Sequence, residues 1–227
     1  MQAHIRYPLR NLMQYEYDVF KGMGVPPEDA GICADVLNAA DRRGIDSHGI
    51  GRLKPIYYDR VMNYQIQSAE TDFETVRDTA AVAVIDGHNG MGMVIAKKSM
   101  DLAIKKAETY GIGMVIAKNS THYGIAAYYP MMACEHDMIG ITGTNARPSV
   151  APTFGVQNLL GTNPLVFGMP SDEEFPFVND HATSMCQRGK IEQYAREGKE
   201  LVSGWVVDRN GEPVLEAQKA LEALNAG

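Results

Sequence analysis

The sequence predicts a mixed α/β fold, in which a helical N-terminal region precedes an α/β domain with a buried sheet. Three observations predict it: an apolar stripe at helical spacing within residues 25–44, a change of texture after Ala69, and short β-rich runs alternating with helical segments between residues 80 and 145. Such alternation is the pattern of α/β architecture, where helices cover the faces of a sheet. On this reading residues 1–69 form the helical region and residues 70–227 the α/β domain.

Leu9 to Met23 reads as an amphipathic helix ending near Gly24, and VPPEDAGICADVLNAADRRG reads as a second. Pro27 suits the first helical position, where its missing N–H costs nothing, and Glu28 and Asp29 suit the positive end of the dipole. Ala30, Cys33, Val36, Leu37 and Ala40 then line one face, and Gly44 ends the helix. Asp46 or Ser47 is placed to cap a third helix carrying Leu53, Ile56, Tyr57 and Val61. After Ala69, AAVAVIDG reads as a strand stopped by Asp-Gly, Met91 to Tyr110 as a helix, and IGMVIAK as a second strand. NSTHYGIAAYY opens another helix, which Pro130 is expected to kink or restart, and MIGITGTN is a third strand. GVQNLLGTNPLVFGMP is a loop followed by a strand, FPFVNDHATS leads from a strand into a helix through Lys190 and Ile191, and GWVVDRNG is a late strand and turn.

Composition narrows the function. The net charge of −7 is spread without long blocks of either sign, which argues against a nucleic-acid footprint. Three cysteines, Cys33, Cys134 and Cys186, show neither metal-ligand spacing nor a disulfide framework and read as core residues of a protein kept in a reducing cytoplasm. No apolar run approaches a membrane span, and MQAHIRYPLRNLM lacks the apolar core of a signal peptide.

DGHNGMGM is rich in glycine and follows a strand, yet it lacks GxGxxG spacing and an acidic residue placed for a ribose. It reads as a tight turn. In NSTHYG, Asn119, Ser120 or Thr121 can cap a helix and leave His122 in its first turn, where the dipole keeps an imidazole neutral and able to accept a proton. Gly124 and Ala126 leave room for an anionic group at that helix start. The competing reading is a histidine that only packs or caps. In SHGIGR, His48 and Arg52 lie one helical turn apart. Arginine offers a fork for a carboxylate, while Ser47 and His48 can relay a proton; the competing reading is a solvated helix start. Asp180 and His181 stand at a strand end before a helix, a frequent ligand position in α/β folds, with capping as the alternative. His4, His88 and His136 sit in no such motif.

Together SHGIGRL, NSTHYG and LGTNP, with VIDGHNGMG, NDHATS and GWVVDRNGEP in the same order, resemble the malate/L-lactate dehydrogenases of the type that includes ureidoglycolate, sulfolactate and piperideine-carboxylate oxidoreductases. The resemblance runs over nearly the whole chain. It implies a cytoplasmic homodimer with a non-Rossmann, sulfolactate dehydrogenase-like cofactor domain, using NAD or NADP on a small 2-hydroxy or 2-keto acid, without metal, membrane or nucleic acid. By resemblance His122 is the first choice for proton acceptor and His48 the second, Ser47 and His48 form a relay pair, and Arg52 and Tyr129 bind substrate. His122, Tyr123, Gly124, Ile125, Ala126, Ala146, Asp180, His181 and Ala182 would line the cofactor. Ala146 and Arg147 depart from the polar contacts that some relatives place after GTN. Relatives also run well past EALNAG, so the resemblance implies a C-terminally truncated member; the rival expectation is an inactive remnant that keeps a partial fold or an oligomer interface.

Overall fold

The structure, a computed structural model, describes residues 7–226, so His4 and the start of MQAHIRYPLRNLM lie outside it. The chain divides into two compact units, Met1–Gly140 with Gly168–Phe177, and Ile141–Phe167 with Val178–Gly227.

The first unit opens with α1 (Leu9–Gly22) and α2 (Pro27–Arg42). Pro27 takes the first position of α2, Glu28 and Asp29 its first turn, and all five residues of the expected stripe are fully buried. The C-terminus of α2 is closed by Gly44 at φ +69°: the Gly44 N–H donates to the Asp41 carbonyl and the Ile45 N–H to the Ala40 carbonyl. This paired closure needs a left-handed residue, which glycine adopts without strain. The third helix is not an α-helix. Ile50–Arg52 form a 3₁₀ turn and Leu53–Asn63 a π-helix, whose wider turn pairs Lys54 with Asp59 five residues on, at 2.8 Å. Phe20, Val36, Leu37, Leu53, Tyr57 and Met93 share one core.

Strand β1 (Glu74–Asp78) pairs antiparallel with β2 (Val82–Asp86). Its sequence, ETVRD, hides it, because charged residues suit an exposed edge strand that carries no apolar alternation. Helix α3 (Gly92–Tyr110) makes the crossover to β3 (Met114–Lys118), which runs parallel to β2. Ala83 and Ile85 are fully buried on one face. The register places Val82 and Val84 beside Met114 and Ile116 on the other, where Met114 is 52% and Ile116 46% exposed. The sheet is therefore buried on one face only; an unbroken apolar run does not distinguish one covered face from two.

Helix α4 (Tyr128–Cys134) holds Pro130 at its third position. Pro130 does not interrupt it, because the N–H groups of a first helical turn have no intrahelical partner to lose. Strands β4 (Gly140–Gly143), β5 (Leu165–Met169) and β6 (Phe177–His181) form a second sheet in that order. In the second unit, α5 (Arg188–Glu197) and α6 (Ala217–Ala226) close over Ile191, Leu201, Val206 and Ala220, with Tyr194 and Trp205 against them. The expected strand at GWVVDRNG is a single antiparallel bridge, Val207 to Pro213, around a turn in which the Asp208 carboxylate accepts the N–H groups of Asn210 and Glu212. Among the described residues, no helix is long and apolar enough to cross a membrane. All three cysteines are free, and burial pushes each thiol above its ordinary range.

Candidate active site

The site in the first unit grows from the end of α2. Asp41, in its last turn, reaches forward so that its Oδ2 accepts the Ile50 N–H at 2.9 Å. That carboxylate, not Asp46 or Ser47, caps the third helix. The Ser47 hydroxyl lies instead 2.8 Å from His48 Nδ1, and Arg52 donates from Nε to the Ser47 carbonyl at 2.6 Å. His48 and Arg52 thus meet through Ser47 rather than across an α-helical face.

A second loop comes from the end of β3. Asn119 donates its amide to both Asp86 carboxylate oxygens, at 2.9 and 3.0 Å, and Lys118 pairs with the same group at 2.7 Å. These partners, Lys118 foremost, hold the Asp86 carboxyl far below the usual carboxylate range. Thr121 Oγ1 accepts the Gly92 N–H at 2.9 Å and donates to the Gly90 carbonyl at 2.8 Å. The capping residue of NST therefore caps α3, and His122 stands in an irregular loop six residues before α4 rather than in its first turn. Gly124, at φ +78°, completes the loop; a Cβ there would lie 2.4 Å from Val36 Cγ1.

The two loops bring the histidines together. The rings of His48 and His122 stack at 5.7 Å between centroids, 17° from parallel. His122 Nδ1 lies 2.7 Å from the Tyr57 hydroxyl and 3.3 Å from the Gly124 N–H. His122 is pushed down from 6.5 to about 3, first by burial and then by His48, Arg60 and Arg52. The expected direction holds, but its cause is desolvation and like charge, not a helix dipole. Tyr57 entered the sequence reading only as part of an apolar stripe. A tyrosine at a fully buried position is the signal that could have found it, since its hydroxyl needs a partner.

Tyr123 stacks on Tyr129 at 5.1 Å, 3° from parallel, and Tyr129 donates its hydroxyl to the Tyr123 carbonyl. Tyr129 is fully buried, so it shapes the loop from behind. Ile125 and Ala126 are also buried, Ile125 against Ala39 and Ala40. The glycine-rich stretch after β2 is a turn. Its successive N–H groups, from Gly87 to Gly92, all donate within the chain, to Lys118 O, Asp86 Oδ1, Asn119 O, Gly87 O, Thr71 Oγ1 and Thr121 Oγ1. None is left to cradle a phosphate, as a dinucleotide loop must.

In the second unit, Asn163 of LGTNP is a hub. Its side-chain oxygen accepts the Ala146 N–H at 2.9 Å, and its carbonyl accepts from the Thr183 hydroxyl at 3.1 Å. Asp180 and His181 are exposed at the end of β6, with His181 Nδ1 3.1 Å from Asn179 Oδ1, and Ala182 is half-buried. Among the described residues no group of three His, Cys, Asp or Glu is placed to hold a metal ion.

The imidazoles, hydroxyls and guanidinium of the first unit can bind an anion and move a proton.

Comparison with known proteins finds relatives that match nearly the whole chain. The malate/L-lactate dehydrogenase family matches residues 8–227. Malate dehydrogenase from Pyrococcus horikoshii is 45% identical over 226 residues, covering 100% of this chain and 61% of that protein. The crystal structure of malate dehydrogenase from Entamoeba histolytica superposes with a TM-score of 0.95 at 42% identity, covering 98% of this chain and 62% of that one. Sulfolactate dehydrogenase from Methanocaldococcus jannaschii gives 0.85 at 42% identity, over 94% and 61% of the two chains. The chain thus spans about 61% of the length of such relatives.

Proposed function

The chain belongs to the malate/L-lactate dehydrogenase family, and on that premise we propose that it carries the substrate and proton-transfer residues of a 2-hydroxyacid:NAD(P) oxidoreductase. The observation that carries the reading is the stacked His48–His122 pair joined through Ser47 to Arg52. A bound nicotinamide would supply the hydride carrier. Arg52 holds the substrate carboxylate through its terminal nitrogens while Nε anchors the side chain to Ser47. One imidazole of the pair exchanges the proton of the C2 oxygen, and Ser47 orients His48 for relay.

Residues 1–69 are the substrate side of this scheme and residues 70–227 the cofactor side. In the first unit His122, Tyr123, Gly124, Ile125 and Ala126 line the cofactor, Ile125 and Ala126 through their backbone because their side chains are buried. In the second unit Ala146, Asp180, His181 and Ala182 do so. Tyr129 serves substrate binding through the position of Tyr123. Homodimeric assembly and a cytoplasmic location complete the proposal.

Oxidation of NADH and of NADPH with a panel of 2-keto acids tests it. Turnover with at least one acid that is lost in Arg52→Ala supports the reading; turnover indifferent to Arg52 overturns it. The exposed apolar face formed by Met114 and Ile116 favours a second reading, an inactive chain keeping part of the fold. Absence of turnover with every acid and both cofactors would support that one.

A further inference from the structure

Two stacked imidazoles, His48 and His122, compete for the role of proton carrier. The partners of His122 Nδ1 decide this. Tyr57 is fully buried, and the group that its hydroxyl meets among the described residues is His122 Nδ1, at 2.7 Å. A buried phenol proton left without an acceptor costs on the order of 1–3 kcal/mol. The acceptor in reach is Nδ1. The Gly124 N–H also points at Nδ1, at 3.3 Å, and a backbone donor cannot reverse its role. Two donors converge on one nitrogen, so that nitrogen offers a lone pair and the ring proton sits on Nε2.

We propose that Tyr57, with the Gly124 N–H, locks His122 in the Nε2–H tautomer, so that His122 donates a hydrogen bond to the C2 oxygen of the substrate and His48 carries the proton. The inference rests on the proposed dehydrogenase reading for its substrate and stands on its own for the tautomer.

In the reducing direction a bound reduced nicotinamide would supply a hydride for the new C–H bond at C2, and the carbonyl π pair would move to oxygen, leaving an alkoxide short of one proton. His122 stabilises that oxygen through Nε2–H. Releasing the proton would leave an imidazolate, because Nδ1 holds only a hydrogen bond. Tyr57 cannot complete the transfer, since burial raises its phenol well above the ordinary range. The proton comes from the imidazolium of His48, leaving neutral His48 and the hydroxy acid. In the oxidising direction His48 takes it back. His122 is then a fixed electrophile, a role that needs a neutral ring, and desolvation keeps it neutral. Tyr57 acts through His122 and is a positioning residue.

Two-bond ¹H–¹⁵N correlation spectra of the labelled chain at neutral pH, without substrate or cofactor, read the tautomer directly. The expected spectrum shows His122 Nδ1 unprotonated and Nε2 protonated, with Tyr57→Phe shifting the ring towards a mixture. A wild-type spectrum with the proton on Nδ1 overturns the proposal, and it needs no variant to fold. In chain that turns over, His122→Ala should lose about 10²–10³-fold in kcat, the usual effect of removing one such donor. His122→Gln, whose amide N–H can replace Nε2–H but cannot accept a proton, should recover at least about tenfold of that loss. Equal losses in the two variants overturn the assignment of roles. If the chain shows the Nε2–H tautomer but no turnover with any acid, the dehydrogenase reading fails while the lock stands.

Discussion

The imidazole rings of His48 and His122 lie 5.7 Å apart and 17° from parallel, close enough that a proton on one disfavours a proton on the other. Burial adds to that repulsion at His122, which is thereby kept neutral across the physiological range.

The first prediction concerns pH. His122 titrates at about 3 in the folded chain against 6.5 as its ordinary value, so between these pH values the unfolded chain binds more protons. Stability should fall as pH drops from about 6.5 towards 3. The groups facing His122 are His48, Arg60, Arg52 and Tyr57, and none of the cations among them opposes this direction. Thermal melts of wild type and His122→Gln at several pH values between those limits should show a shallower acid loss in the variant. An NMR titration placing His122 near its ordinary value would refute the prediction.

Arg52→Lys should raise KM for a 2-keto acid by about 10–100-fold, the loss of one charge-assisted hydrogen bond. Lysine lacks both the bidentate fork and the Nε that bonds the Ser47 carbonyl at 2.6 Å, so its ammonium has neither the anchor nor the geometry. Steady-state kinetics check this, and an unchanged KM would remove Arg52 from the site.

Gly124→Ala should destabilise the chain by about 1–3 kcal/mol, because the new methyl is forced against a packed core side chain. The methyl meets Val36 Cγ1 at 2.4 Å and the residue must hold φ +78°. Because the Gly124 N–H points at His122 Nδ1, the same variant should move the His122 ring resonances. Denaturant unfolding and NMR together test this; a stable variant with unshifted His122 signals contradicts it.

Glu16 supplies a fourth test. It is fully buried on α1, neither carboxylate oxygen has a hydrogen-bond partner among the described residues, and burial, with Asp41 second, pushes it up to about 8. A raised carboxyl contributes stability below its unfolded value of 4.5, and that stability is lost as pH rises through about 8. Glu16→Gln should therefore be more stable than wild type at alkaline pH, by about 1–3 kcal/mol if the buried charge is the main cost. For a domain of this size that is roughly 2–4 °C in Tm per kcal/mol. Melts in which the two proteins change stability in parallel between pH 4.5 and about 8 would contradict it.

The sequence by itself determined the elements whose causes are local. The stripe Ala30–Ala40, the proline and acidic start of α2, the Gly44 stop, and the β2–α3–β3 crossover follow from residues near each other along the chain. It likewise marked the DGHNG stretch as a turn and named both histidines and Arg52, because motif order survives without knowledge of contacts. Tertiary structure alone decided which groups satisfy which. Thr121 caps α3 across 29 residues instead of its own helix, Asp41 takes the capping place of Ser47, and Tyr57 finds His122 across 65. A capping residue or a buried phenol announces that it needs a partner, but the partner is whatever polar group the packed chain leaves within about 3 Å. The depressed His122 has the same origin: desolvation and a neighbouring imidazole exist only once the two loops have met.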